Sequence, residues 1–185
     1  NGFVSKLLRW AVAPIPIRKQ TTDLNAVMNC IRIAREGGTI ALAPEGNRTY
    51  SGKTCYMNPA IASLARKLKL PIALYRIEGG YGAEPRWSDV TRKGTMRSYV
   101  SRVMEPEEFQ DMSRDDLATL IRRELWVDEA KVTGEFDCKA RAEYLERAVY
   151  VCPHCGFSKF ESRGHQIRCL SCGRKATYRK DKTLE

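Results

Sequence analysis

Thr39-Ile40-Ala41-Leu42-Ala43 runs directly into Pro44-Glu45-Gly46-Asn47-Arg48-Thr49-Tyr50-Ser51-Gly52, a short apolar run meeting a loop punctuated by proline and glycine. The run predicts a short buried strand. Working outward, Leu24, Val27, Met28, Ile31 and Ala34 recur at helical spacing. They predict a helix over 23–36, capped by Thr22 and stopped by Gly37-Gly38. On the other side, Asn58 and Pro59 form a cap and first turn for a helix to about Leu68. Pro71-Ile72-Ala73-Leu74-Tyr75-Arg76-Ile77 is a second candidate buried strand. Strand, helix and strand with short connections describe an α/β fold, a parallel sheet with crossover helices.

The rest of the chain hangs on this frame. Residues 3–12 read as a short amphipathic helix, and Pro14-Ile15-Pro16-Ile17 as an extended segment or edge strand. Residues 79–94 are turn-like, and 95–104 alternate like an outer strand. Ser113, with Asp116 three residues on, starts a helix through about Trp126. A charged helical stretch over 136–148 then leads into a cysteine cluster. This reading divides the chain into an α/β domain over 1–110, a helical connector over 111–148 and a small C-terminal module over 149–185.

That module carries the most specific signal. Cys152, Cys155, Cys169 and Cys172 form C-x2-C-x13-C-x2-C, and each pair is followed by glycine, Gly156 and Gly173. Two such knuckles supply four thiolates to a tetrahedral site, the pattern of a zinc ribbon. With four sulfur ligands the Zn2+ has no open position, so it is expected to be structural. His165 lies within the intervening loop, but four thiols are already at hand. Neither pair opens a helix after a strand, which argues against a redox role. Cys30, Cys55 and Cys138 are scattered singly. An odd, clustered set of seven suits a reducing cytoplasm better than a secreted disulfide framework.

The net charge of +10 implies an anionic partner: phospholipid headgroups, an acidic carrier, a phosphate ester or nucleic acid. Residues 151–185 hold eight Lys and Arg against three Asp and Glu, about half of that excess. For the ribbon, docking or stability ranks above nucleic acid. Phe157, Phe160 and Tyr178 interleave with its cations and favour nucleic acid mildly, but they also suffice for a ribbon's small core. No stretch approaches the roughly 20 apolar residues a membrane span requires. The opening segment has neither the charged start nor the cleavage site of a signal peptide. A chain opening on Asn1-Gly2 without methionine is expected to be processed or a fragment.

Pro44-Glu45-Gly46-Asn47-Arg48 resembles the F-P-E-G-T-R-S motif of the 1-acylglycerol-3-phosphate acyltransferase (lysophospholipid acyltransferase) family. Ile15-Pro16-Ile17-Arg18-Lys19 looks like that family's second block, and Lys69-Leu70-Pro71-Ile72-Ala73-Leu74-Tyr75 like its fourth. The resemblance covers about 3–105. Ala43 stands for the usual aromatic, Asn47 for Thr and Tyr75 for a second proline. It implies a glycerolipid acyltransferase-like sheet and transfer of an acyl group from acyl-carrier protein or coenzyme A to a lysophospholipid. Arg48 would then grip the acceptor's phosphate, with Arg18 or Lys19 supplying a second charge. Glu45 would hold the acceptor hydroxyl or brace the loop, and Gly46 would let backbone approach the ligand. The family's H-x4-D catalytic pair has no counterpart here, because the only histidines are His154 and His165. The resemblance therefore implies that the pair lies upstream of Asn1 and that these 185 residues alone are inactive. It further implies a cytoplasmic protein peripheral to an anionic membrane. The alternative is a zinc-ribbon protein that binds nucleic acid or docks a protein without catalysis.

Overall fold

The computed structural model describes residues 2–12, 14–15 and 23–185. In chain order the elements are α1 (Phe3–Val12), α2 (Leu24–Arg35), α3 (Ala60–Leu68), β1 (Ile72–Glu78), α4 (Gly80–Ala83), β2 (Lys93–Gly94) and β3 (Arg97–Met104). There follow α5 (Pro106–Phe109), α6 (Arg114–Leu125), β4 (Phe136–Asp137), a 3-10 turn (Leu145–Arg147), β5 (Phe160–Arg163), β6 (Gln166–Cys169) and β7 (Lys175–Thr177).

The helices form largely where the periodicity predicts. Asp23 rather than Thr22 caps α2, accepting a hydrogen bond from the Ala26 amide. Gly37, at φ +76, turns the chain out of that helix. The Asn58 side chain accepts from the Ala60 amide at the start of α3. Ser113 caps α6, accepting from the Asp116 amide at 3.1 Å, and Asp115 and Asp116 sit in its positive first turn. Thr22 and Pro16-Ile17 fall outside the described residues.

The sheets differ from the expectation. β1 pairs with β3 in antiparallel register, Ile72 opposite Met104 and Glu78 opposite Arg97. β2 pairs with β4, and β5-β6-β7 form a separate antiparallel ribbon. No parallel pair occurs among the described residues. The run at 39–43 is not a strand: Ala41, Leu42 and Ala43 are exposed and no ladder reaches them. An apolar run forms a strand only with a neighbour to take its backbone hydrogen bonds, and none of the described strands does so.

The first core lies on one face of β1 and β3. Leu74 and Met104 from the sheet meet Ala62 of α3, Leu117 and Ile121 of α6, and Phe109 of α5. Each large side chain buried there contributes roughly 1.5–3 kcal/mol, enough to hold a two-stranded sheet that is marginal alone. Arg76 reaches from β1 to donate two hydrogen bonds to the Glu124 carbonyl near the end of α6. The opposite face of the sheet, with Tyr75, Ile77, Val100 and Val103, stands open.

The expected helix over 136–148 does not form. Its apolar residues are drawn to different neighbours, and Tyr144 adopts a left-handed φ of 60 that interrupts any helix. Phe136 is 1% exposed and lies over two glycines. A Cβ on Gly82 would stand 2.4 Å from that ring, and one on Gly94 would stand 2.2 Å from it. Ala142 and Leu145 join the second core, where Trp87 and Tyr178 meet edge to face at 5.6 Å above Ile167. The Trp87 indole donates to the Tyr81 hydroxyl at 2.9 Å. The Arg92 guanidinium stacks 4.8 Å from Trp87 and donates to the Arg141 carbonyl. The ribbon is thus packed onto the loop between α4 and β2.

A second tie joins the chain's last residues to its middle. Lys182 donates to the carbonyls of Glu129 and Val132 and faces the Glu129 carboxylate at 3.6 Å. Glu129 in turn accepts from the Gly79 amide at 2.8 Å.

Burial pushes the Tyr178 phenol up to about 12 from an ordinary 10. Between those values the unfolded chain releases a proton that the folded chain keeps. The contribution of Tyr178 is intact below pH 10 and lost as pH rises towards about 12. Thermal unfolding followed across that window should show a steeper alkaline loss in the wild type than in Tyr178→Phe, which keeps the ring and removes the titration. Parallel curves for the two would contradict the assignment.

Candidate metal centre and the loop of residues 44–52

The four cysteines of the double knuckle come together as their spacing predicts. Their sulfurs all lie within 4.8 Å of one another, with Cys152 to Cys172 at 3.8 Å and Cys155 to Cys169 at 3.6 Å. This cluster can hold a metal ion. The two knuckles are built alike. The Gly156 amide donates to the Cys152 carbonyl and the Cys152 amide to the Phe157 carbonyl, each at 2.9 Å. The Gly173 amide donates to the Cys169 carbonyl at 2.9 Å and the Cys169 amide to the Arg174 carbonyl at 2.8 Å. Both glycines need the left-handed region, at φ 74 and 75, so a side chain there would strain the turn.

The knuckle backbone prepares the sulfurs for charge. Amides of Cys172 and Ser171 help bring the Cys169 thiol down to about 6, and those of Cys155 and His154 lower that of Cys152. The Phe157 amide lowers Cys155, but burial and the three surrounding sulfurs outweigh it and push that thiol to about 12. Left to themselves the four thiols do not all ionise. A bound cation reverses this balance, because each thiolate then faces positive charge. His165 is not a ligand: its Nδ1 accepts from the Arg141 amide at 3.3 Å, which docks the ribbon on the preceding segment.

The residues around Pro44 are brought to one edge of a groove of about 1410 Å3. Its walls include Ile40, Leu42, Ile61, Leu74 and Tyr81, and Glu45 and Arg48 line it as well. Glu45 braces the loop, its carboxylate accepting from the Cys55 amide at 2.8 Å. Gly46 turns at φ 69 with nothing within 4 Å of a Cβ position, leaving open space above the backbone. Arg48 is exposed and pairs with Glu84 at 3.2 Å. Tyr50 donates to the Arg147 carbonyl, and Lys53 bridges to Asp128. Arg18 and Lys19 fall outside the described residues, so only Glu45, Gly46 and Arg48 of the sequence-derived set are seen together.

Glu84, Trp87, Arg92, Glu129 and Lys182 were not singled out by the sequence. Each acts through a partner far along the chain, and no local pattern marks such a pairing.

Comparison of the chain with models of known families, with curated proteins and with solved structures returns no significant match.

Because every ligand must be a thiolate, metal binding is expected to weaken on acidification and to be lost with any one sulfur. Cys169→Ser should reduce the metal held per chain from one ion to a weakly retained fraction by elemental analysis. The ribbon should unfold with it. A variant that retains both metal and ribbon would contradict a four-sulfur centre.

Proposed function

We propose that this chain is the acceptor-binding part of a lysophospholipid acyltransferase whose ribbon is held by structural zinc. The observation that carries this reading is the exposed Arg48 guanidinium beside a large apolar groove. A lysophospholipid needs both features, a cation for its phosphate and an apolar trough for its chain.

In the proposed reaction the acceptor hydroxyl attacks the carbonyl carbon of an acyl thioester carried by acyl-carrier protein or coenzyme A. An ester C–O bond forms, the C–S bond breaks, and the hydroxyl proton leaves through a general base to the departing thiol. This chain's own residues hold the acceptor. Arg48 exchanges Glu84 for the phosphate, the Glu45 carboxylate keeps the loop in shape, and Gly46 leaves its backbone open to approach. Neither His154 nor His165 belongs to an H-x4-D pair, and both sit in the ribbon. On this reading the family's H-x4-D base has no counterpart among these residues.

For the ribbon, tetrahedral zinc at about 2.3 Å from each sulfur sets neighbouring sulfurs about 3.8 Å apart. The observed 3.6 and 3.8 Å match that spacing. The ion supplies folding energy and takes no part in acyl transfer. Among the described residues no helix is long and apolar enough to cross a membrane. The proposed location is the cytoplasmic face of an anionic bilayer, held peripherally.

Calorimetric titration with 1-acylglycerol-3-phosphate tests the acceptor site. Arg48→Ala should weaken binding roughly tenfold or more, as expected for loss of a charge-assisted contact. Glu84→Gln, which frees Arg48, should strengthen it. Binding unchanged in both variants, or acyl transfer by these residues alone, would contradict the reading.

A further inference from the structure

The ribbon sheet has two unlike faces. Successive residues of a strand point to opposite sides, and the register fixes which side is which. Ser162, Ile167 and Ala176 are opposite one another and turn inward, with Ile167 and Ala176 packing in the core that holds Trp87 and Tyr178. The other side carries Arg163, Arg168 and Lys175, with Arg168 directly opposite Lys175. The Leu170 amide donates to the Lys159 carbonyl at 2.9 Å, which extends the β5–β6 ladder by one pair and places Lys159 and Leu170 on this outer side.

That outer side is cationic and unpaired. Among the described residues no ion pair involves Lys159, Arg163, Arg168 or Lys175. Glu161 is the one carboxylate on it. At the knuckle end Phe157 is 63% exposed and Leu170 54% exposed, apolar groups with nothing covering them. Cations in a row with apolar side chains at one end are complementary to an interface that is anionic outside and apolar a few ångströms in.

The aromatic inventory separates this partner from nucleic acid. A surface that binds single strands presents rings on which bases stack. Here Tyr178 is 6% exposed beneath Trp87, and Phe160 packs against the same core. Phe157 and Tyr150, 63% and 79% exposed, flank the first knuckle, and neither belongs to a strand of this face.

We infer that the outer face of the ribbon sheet seats on an anionic phospholipid bilayer, with Lys159, Arg163, Arg168 and Lys175 against headgroup phosphates and Phe157 and Leu170 entering the interface. The metal centre's task is then to hold this face flat and correctly turned. The inference stands on the ribbon's own geometry and does not require the acyltransferase reading.

The test is cosedimentation of the metal-loaded chain with phosphatidylcholine vesicles, with and without phosphatidylglycerol. Binding should require phosphatidylglycerol and fall with salt. Each cation near an anionic surface is worth roughly fivefold in partitioning, so Arg163→Ala, Arg168→Ala and Lys175→Ala combined should weaken binding roughly 100-fold. Metal content measured on that variant establishes that its ribbon is folded. Phe157→Ser with Leu170→Ser should leave the dependence on phosphatidylglycerol but reduce the bound fraction that persists at high salt. Equal binding by the triple variant and the wild type would overturn the proposal. So would loss of binding in Leu7→Ser with Trp10→Ser while the triple variant still binds, which would assign the contact to α1. Tighter, salt-sensitive binding of a single-stranded oligonucleotide, abolished by the same triple variant, would reassign the face to nucleic acid.

Discussion

Four sulfurs gathered within 4.8 Å cannot all carry the charge that metal ligation demands unless a cation sits among them. The C-terminal module depends on that constraint. Its strands are only three or four residues long, too short to be stable by pairing alone. Its apolar interior is small: Ile167 and Tyr178 are buried, with Ala176 and Phe160 partly so. A module of this size requires a staple, and the cysteine cluster is the only one it has among the described residues.

The consequences run beyond the ribbon. Ile167 and Tyr178 share a core with Trp87, which belongs to the loop between α4 and β2. That loop also carries Glu84, the partner of Arg48, and Arg92, whose guanidinium lies between the indole and the Arg141 carbonyl. Lys182 and Glu129 add a buried ion pair whose carboxylate also holds the Gly79 amide. A buried pair of this kind is weak evidence for net stability, yet breaking it is costly, so it fixes where the tail lies. Both ties run from the cysteine-bearing module to the segment that walls the groove. The ribbon and the Arg48 loop are therefore positioned by one set of contacts.

Much of this was legible in the sequence where the signal is local. The caps of α3 and α6, the outer strand at 97–104 and the double knuckle each rest on residues a few positions apart. The misreadings share a cause. The run at 39–43 has the composition of a strand, but composition does not supply a neighbour. The stretch at 136–148 has enough charge and apolar spacing for a helix, yet Phe136 packs over Gly82, the Ala142 amide donates to the Gly164 carbonyl and Leu145 joins the core of Trp87. The antiparallel pairing of β1 with β3 in place of a parallel crossover is likewise a tertiary choice between strands of similar composition. For the site, the motif around Pro44 marked Glu45, Gly46 and Arg48, while Glu84 lies 36 residues away and carries no mark.

X-ray absorption at the metal edge of the loaded chain tests the central claim most directly. The account predicts zinc with four sulfur scatterers at about 2.3 Å and no lighter atom in the first shell. A nitrogen or oxygen ligand replacing any of the four sulfurs would contradict it, since His165 is already engaged by the Arg141 amide and the knuckles present only thiolates.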